Sequence, residues 1–262
     1  MPEQIATRLG YAAAAWLGSI AVASAAADCP TTADHIVTDR PDVTNSSIVV
    51  PAGSLQAENG VNLSSRDGAR LLDGTNTRLR FGVAPCLEIL LDLPSYVSAV
   101  RGHASAGFSS LAPGVKWQIS PLPGKFDLSV TAGIGLPTGA TAIAGPGVQP
   151  YLQFPWSYEL GAGWGMSGMF TTFFKPADPD SKITVEPTFV LEKEIGPRAE
   201  IFVEYIGDYR PHAGPAHLFN SGAAYRLTAT QQVDFHVGFG LNRNAPSMIF
   251  GLGYSFRFDH LF

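Results

Sequence analysis

The sequence predicts an all-β fold, a transmembrane antiparallel up-and-down β-barrel of about twelve strands. Three patterns predict it: apolar and polar residues alternate along most of the chain, the alternating segments are long, and their connections alternate between short and long. Charged residues make up only 15% of the 262 residues, against about 25% in soluble domains. The 28 glycines and 11% aromatic residues also suit a β protein with few charges.

The alternation has the two-residue period of a β-strand, in which successive side chains point to opposite faces. Within 125–136, for example, Phe126 and Leu128 alternate with Asp127 and Ser129. A strand that crosses a bilayer at about 45° needs roughly 9 to 11 residues, which most of these segments provide. The predicted segments are 54–64, 75–83, 86–94, 105–119, 125–137, 148–160, 162–174, 182–194, 198–207, 216–228, 231–242 and 247–258. The pattern is weakest in 148–160, because Pro150 and Pro155 interrupt it.

The connections between these segments alternate in length. Those after even-numbered segments are short, such as Ala84-Pro85 and Gly161, and most of the others are longer, such as 65–74 and 94–104. Outer-membrane barrels have short periplasmic turns and longer extracellular loops. The asymmetry therefore favours the bacterial outer membrane over the alternative, a soluble secreted β-barrel.

Charged residues lie on one face of the segments, which we expect to line a wet or salt-bridged lumen. The other face is apolar and is expected to contact lipid, where Arg or Lys near the midplane costs about 2–4 kcal/mol. The predicted lumen-facing residues are Arg78, Arg80, Glu88, Asp92, Lys116, Asp127, Glu186, Glu192, Glu200, Glu204, Arg226, Asp234, His236 and Arg257. Acidic residues outnumber basic ones in this set, which predicts a mild selectivity against anions.

Residues 1–27 resemble a secretory signal peptide, with Arg8 followed by an apolar stretch and small residues before the cleavage site. An uncleaved membrane anchor is the alternative. Export leads to an oxidising compartment, where Cys29 and Cys86 either form a disulfide or remain unpaired thiols.

Residues 28–53 precede the barrel, which we expect to span 54–262. Asp39, Arg40 and Asp42 make this stretch too charged for lipid. One hypothesis is that 34–50 fold into the lumen and pair with wall charges as a partial plug; the alternative is a periplasmic tail.

The C-terminal segment has aromatic residues at alternating positions up to Phe258, which is similar to the signal that outer-membrane barrels present to the barrel assembly machinery. His260 departs from that pattern. The expected partners are therefore this machinery, outer-membrane lipid and a small-molecule solute.

A net charge of −5 argues against nucleic acid as a partner. No metal motif, phosphate loop or dinucleotide fingerprint is present, so we expect neither a metal nor a cofactor.

Two early motifs, Ile36–Asp42 (IVTDRPD) and Val50–Gly60 (VPAGSLQAENG), resemble the opening of the "putative meta-pathway of phenol degradation" outer-membrane family. Similar short motifs follow in order: Leu79–Gly82, Gly114–Trp117, Leu136–Gly139, Phe202–Tyr205, Gly222–Tyr225 and Gly251–Tyr254. The resemblance implies a transporter-like barrel, sometimes associated with uptake of aromatic compounds.

The leading function is therefore a channel or transporter for small solutes, including aromatic or hydrophobic compounds. An outer-membrane lipid-modifying enzyme is an alternative, but it needs a nucleophile with a histidine in reach, and no G-x-S-x-G motif is present. We accordingly expect no catalytic residues and no enzymatic activity. A structural barrel without an open pore is a further alternative.

Overall fold

The computed structural model describes residues 29, 34–66, 68–102, 104–119, 122, 124–177, 182–212 and 214–261. The predicted signal peptide, residues 1–27, lies outside the described residues. No helix in the described residues is long and apolar enough to cross a membrane.

The described chain forms β-strands and one short helix, α1 (Thr141–Ala144). The strands are β1 (Leu55–Arg66), β2 (Ala69–Gly74), β3 (Arg78–Ala84), β4 (Leu87–Asp92), β5 (Tyr96–Arg101), β6 (Gly107–Phe108), β7 (Ala112–Ile119), β8 (Phe126–Gly135), β9 (Gln149–Gly161), β10 (Trp164–Phe174), β11 (Ile183–Ile195), β12 (Ala199–Asp208), β13 (Ala216–Thr228), β14 (Gln231–Gly240) and β15 (Met248–Phe258).

These strands form one antiparallel sheet that closes on itself, because β15 pairs with β1 along nearly its whole length. Two halves of β1 pair with β3 and β2 respectively, so β2 and β3 are parts of one interrupted strand. In the same way, β4 and β5 are two parts of one interrupted strand, and so are β6 and β7. The interruptions of these strands lie next to one another in the sheet. Counted this way, the barrel has 12 spanning strands, which confirms the predicted fold class.

Two of the predicted loops, 65–74 and 94–104, instead contain β2 and β5. The β1–β2 hairpin continues past the predicted strand end and turns near Gly68. Alternation is the signal of a strand with lipid on one side only. A hairpin that extends beyond the membrane has water on both sides, so its sequence does not need the pattern.

Strand β9 forms despite its two prolines. The pairing between β8 and β9 has a gap at Pro155. Paired residues are found up to Leu128 and Trp156, and pairing resumes at Thr131 and Gln153. Proline has no backbone N–H to donate to the neighbouring strand, so a local gap in the ladder is expected there.

The outer surface of the barrel is apolar, as the sequence pattern predicts. Exposed leucine, valine, isoleucine and phenylalanine side chains cover its middle, among them Ile201, Phe235 and Leu252. Exposed aromatic residues gather near the end that carries the short connections, which we call the turn end: Trp117, Tyr158, Trp164, Tyr225, Tyr254 and Phe258. An apolar band with an aromatic girdle is typical of a transmembrane barrel, in which the turn end faces the periplasm and the opposite loop end faces outward.

A positive charge on this band should destabilise the barrel in lipid. Leu252 is 54% exposed and its register partners Val61 and Phe235 are also apolar and exposed, so we expect Leu252→Arg to lower the free energy of unfolding by about 2–4 kcal/mol. Leu241→Arg, just beyond the loop end of β14, should cost at most about 1 kcal/mol. Denaturant titration in phospholipid vesicles measures both, and equal costs would contradict the assigned lipid face.

Candidate functional site: the barrel lumen

A stretch of residues 34–54, which we call the inner segment, lies inside the barrel. It enters at the turn end, where the Ile36 amide donates to the Ala229 carbonyl at 2.7 Å. It leaves at the same end, where Gly53 and Ser54 exchange backbone hydrogen bonds with Gly82 on β3. The segment is therefore a re-entrant loop, and β1 begins directly after it.

The innermost part of the loop is held by a carboxylate of the wall. Glu204 on β12 accepts the backbone amides of Val43 and Thr44 at 2.9–3.1 Å and the Thr44 hydroxyl at 2.8 Å. Asn220 on β13 donates to the same carboxylate at 2.9 Å. Charge-assisted hydrogen bonds of this kind are stronger than neutral ones, so this contact fixes the tip of the loop.

The returning half of the loop makes similar contacts to three other strands. The Val49 amide donates to Gln118 on β7 at 3.1 Å, and the Val50 amide donates to Glu88 on β4 at 2.7 Å. Ser47 shares a hydroxyl hydrogen bond of 2.7 Å with Ser157 on β9. Wall side chains thus satisfy backbone donors that a loop buried in a barrel would otherwise leave unpaired.

Asp39 of the inner segment lies at the centre of a buried group of charges, which we call the charge cluster. Its other members are Glu58, Arg78, Arg80, Glu88, Asp92 and Lys116. The Asp39 carboxylate lies 3.0 Å from both Arg78 and Lys116 and 3.3 Å from Arg80. The side chains of Arg80 and Lys116 are 0% exposed and that of Asp39 is 2% exposed, so these ions have almost no contact with water.

Acids and bases compensate one another within the charge cluster. Arg80 also pairs with Glu58 and Glu88 at 3.1 Å, and Lys116 pairs with Glu88 at 3.3 Å. Burial alone would raise the pKa of the Asp39 carboxyl, but the surrounding cations, Arg80 first, hold that pKa well below its usual range. Asp39 is therefore an anion throughout the physiological pH range.

Arg40 reaches the opposite wall, where it pairs with Asp234 on β14 at 3.3 Å. Its guanidinium packs where Gly60 and Gly253 have no side chain, and a Cβ at either position would collide with it. Glycine at these two wall positions therefore makes room for the inner segment.

The wall formed by β11 and β12 is acidic. Glu186, Glu192, Glu200 and Glu204 share its inner face. Asp42 of the inner segment lies on this side. Burial, followed by the charges of Glu204 and Glu192, raises the pKa of Asp42 well above its usual range. Among the fourteen predicted lumen-facing residues, eight are acidic and five are basic, so the formal charge of this lining is negative.

A disulfide joins Cys29 to Cys86 in the β3–β4 turn, with a Cα–Cα distance of 5.1 Å. The chain is therefore attached to the turn end of the wall on both sides of the inner segment.

Separate cavities lie on the two sides of the inner segment. One of about 240 Å³ includes Arg198 and Arg226 near the turn end. One of about 310 Å³ includes Asn76, Ser95 and Ser109, at the interruptions of the three divided strands. A third, of about 350 Å³, opens at the loop end. The inner segment contributes lining residues to all three, so it separates the two ends of the lumen.

All fourteen predicted lumen-facing residues occupy strand positions whose side chains point to the inner face of the barrel. Seven are buried: Arg80, Glu88, Lys116, Glu204, Asp234, His236 and Arg257. The other seven are half-buried: Arg78, Asp92, Asp127, Glu186, Glu192, Glu200 and Arg226. The structure brings Arg78, Arg80, Glu88, Asp92 and Lys116 together around Asp39, whereas Arg257 pairs with Asp259 at the turn end.

Sequence reasoning missed several residues that hold the inner segment. Glu58 accepts the Asp39 amide at 2.9 Å, Gln56 donates to the Val37 carbonyl at 2.8 Å, and Gln118 accepts the Val49 amide at 3.1 Å. Gln153 accepts from Asn45 at 3.0 Å. The inward parity of all four was available in the sequence. A search for wall charges passes over the neutral glutamines, whereas Glu58 is charged and was omitted from the predicted set.

Comparison with known proteins agrees with this architecture. A family model described as "Putative MetA-pathway of phenol degradation" matches residues 38–258. The chain belongs to this family. The match includes most of the inner segment as well as the barrel, and it confirms the resemblance given by the sequence motifs.

Several solved structures share the fold. The COG4313 outer membrane channel from Pseudomonas putida F1 is similar over 85% of this chain and 100% of that one, with 16% identity and a TM-score of 0.68. NanC porin is similar over 77% of this chain and 98% of its own chain, with 9% identity and a TM-score of 0.55. KdgM porin is similar over 77% of this chain and 99% of its own chain, with 11% identity and a TM-score of 0.52. No curated protein sequence gives a significant match.

Removing the charge of Asp39 should release the inner segment. Asp39→Asn leaves three wall cations short of an anion, and breaking a buried ion pair costs about 3–5 kcal/mol. Hydrogen exchange at the amides of Val43, Thr44, Val49 and Val50 should accelerate at least about 100-fold. Asp34→Asn, at an exposed position, is the control.

The pH dependence gives a second check on the same group. Because the pKa of Asp39 is depressed, its contribution is fully present above the unfolded pKa of about 3.9 and is lost only as pH falls toward the folded value. Between pH 5 and 8, Asp39 itself should therefore cause no loss of protection. Unchanged exchange in Asp39→Asn would show that the charge cluster does not hold the segment.

Proposed function

We propose that the protein is a bacterial outer-membrane channel for small solutes, including aromatic compounds, and that the inner segment plugs it at rest. The observation that supports this best is a closed barrel, apolar outside and polar inside, whose cavities approach the inner segment from both ends. The fold shared with outer-membrane channels and the family description support the same proposal.

The contacts of the inner segment suit a reversible plug. The wall strands hydrogen-bond to one another around a closed circle, so the barrel does not need the segment for its own backbone pairing. The segment is held mainly by side chains of the wall, and water can replace those partners when it moves. A solute path then opens without unfolding a strand.

Its partners in this proposal are outer-membrane lipid on the apolar face and a small-molecule solute in the lumen. The barrel assembly machinery would engage β15, the strand that closes the barrel against β1. We propose no nucleic-acid partner, since the lumen and the net charge are acidic.

We propose that the protein is not an enzyme. His217 bonds to the Tyr205 hydroxyl at 2.7 Å, and His236 bonds to Asn220 and Asn62 at 3.1 and 3.2 Å. Within the described residues, neither ring contacts a serine or a carboxylate, the arrangement that activates a nucleophile. Turnover of radiolabelled phospholipid by the purified protein would overturn this.

Deleting residues 34–50 should open the pore. We expect single-channel conductance in planar bilayers to rise several-fold, because the deletion removes the groups that separate the two ends of the lumen. A Gly/Ser sequence of equal length, which keeps the chain length and the disulfide but not the wall contacts, should behave likewise. Unchanged conductance in both variants would contradict the proposal that the inner segment plugs the pore.

The open pore should prefer cations. Reversal potentials of the variant lacking 34–50 in a KCl gradient should favour K⁺ over Cl⁻, because acidic residues outnumber basic ones among the lumen-facing side chains. Glu192→Gln combined with Glu200→Gln should weaken that preference, whereas Asp34→Asn removes one charge from an exposed position and should change it little. Anion preference in the variant lacking 34–50 would contradict the charge assignment.

A further inference from the structure

Two arginines of the wall, Arg70 on β2 and Arg101 on β5, lie directly opposite each other near the loop end. Both residues are exposed. Directly opposite residues of antiparallel strands have their side chains on the same face, with Cβ atoms about 4.5–5.5 Å apart, and like charges in this arrangement destabilise the pairing. The arginine pair therefore works against the sheet that carries it, which calls for another explanation.

The pair lies on the lipid-facing side of the wall. Arg70 is also opposite Ser65 on β1, and Ser65 shares its face with Leu63 and with Val61 of the exposed apolar band. On β2 itself, Arg70 shares this face with Leu72, which is exposed and lies opposite Leu63. Both guanidinium groups are therefore outside the lumen.

A β-bulge turns Arg101 toward this face. Leu71 pairs with Ala99 and the next residue, Arg70, pairs with Arg101, so β5 has one extra residue, Val100, between the two pairs. With strict alternation, Arg101 would share the inward face of Ala99. The bulge shifts the alternation by one residue and aligns Arg101 with Arg70, which is how bulges re-aim a side chain.

The arginines lie at the loop-end border of the apolar band. Toward the turn end, the same face continues with Leu72 and then with Tyr96, which lies opposite Gly74. Tyr96 and Phe108 are both exposed, and their ring centroids are 5.0 Å apart in an edge-to-face contact. Aromatic rings are typical of the boundary between acyl chains and headgroups. The two cations just beyond the rings are therefore level with the headgroups of the outer leaflet.

The neighbours of the pair on this face carry no charge. Among the described residues they are Ser65, Leu72 and Ser98. The ligand that suits two adjacent guanidinium groups is an anion, and phosphate is the one they bind with paired, charge-assisted hydrogen bonds. The outer leaflet of this membrane is built from a glycolipid that carries phosphate groups on its sugar head. Such a molecule supplies the anion and the acyl chains together.

We infer that Arg70 and Arg101 bind one phosphate group of the outer-leaflet glycolipid, with an acyl chain of the same molecule against Leu72, Tyr96 and Phe108. The phosphate compensates two charges that otherwise repel each other, so it ties β2 to β5 on the loop-end side of the strand interruptions. The inference depends on the outer-membrane location of the barrel and does not depend on the channel function.

Binding can be measured by native mass spectrometry of the refolded mature protein in detergent micelles. The probe is diphosphoryl lipid A, for which we expect saturable binding. The double variant Arg70→Gln/Arg101→Gln should weaken it at least about tenfold, because two cations at a membrane surface together contribute at least that factor. Lipid A with both phosphates removed should bind the unaltered protein at least about tenfold more weakly. Arg243→Gln, at an exposed position in the loop between β14 and β15, is the matched control and should change binding less than about twofold.

Hydrogen exchange distinguishes a defined site from a general attraction between charges. Diphosphoryl lipid A should slow exchange at the amides of 69–74 and 96–101 in the unaltered protein and leave the double variant unchanged. Without any lipid, Arg101→Gln alone should also slow exchange at these amides, because it removes one of two like charges. Inorganic phosphate at the same concentration should give much less protection than lipid A, since it has no acyl chain to contact Leu72.

Unchanged binding in the double variant, an equal loss in Arg243→Gln, or equal binding of the dephosphorylated lipid would each overturn the inference. Protection by inorganic phosphate as strong as that by lipid A would assign the pair to a free ion and overturn the lipid assignment. Conductance of the protein lacking 34–50 tests the channel proposal separately, because neither arginine lines the lumen.

Discussion

The inner segment depends on the pairing of one buried carboxylate, that of Asp39, with three cations of the wall. An isolated ion would be costly in so dry a place, and each member of the charge cluster is tolerable only because the others are present. The wall cations are themselves balanced by Glu58, Glu88 and Asp92. The cluster therefore specifies where the segment lies more than it adds stability, since its Coulomb energy is set against a large desolvation cost.

The two halves of the lumen hold the segment by opposite means. On the side of β3, β4 and β7, the segment presents an anion to wall cations. On the side of β12, it presents backbone amides to the Glu204 carboxylate. The same loop thus complements a basic surface with a side chain and an acidic surface with its main chain. This division explains how the acidic wall of β11 and β12 can face a segment that contains Asp42.

The barrel was predictable because two solvents impose a simple rule on each strand. Lipid requires an apolar outer face and water permits a polar inner one, so the period of two and the number of strands could be derived. The rule ends where the membrane ends, which is why β2 and β5 were taken for loops. It also assigns no partners: which cation meets Asp39 depends on register and on the path of the inner segment. Inward apolar residues such as Ile206 and Leu218 were missed because only charges were sought on that face.

The disulfide and the start of β1 fasten the inner segment to the same rim, Cys86 on one side and Leu55 on the other. An inner segment fastened at both ends in this way cannot diffuse away from the barrel. In the proposed plug function, its return to the lumen is a first-order event, with an effective concentration set by the length of the loop and not by the number of copies of the protein. Each barrel that opens in the proposed way would therefore reclose at its own rate, independent of its neighbours.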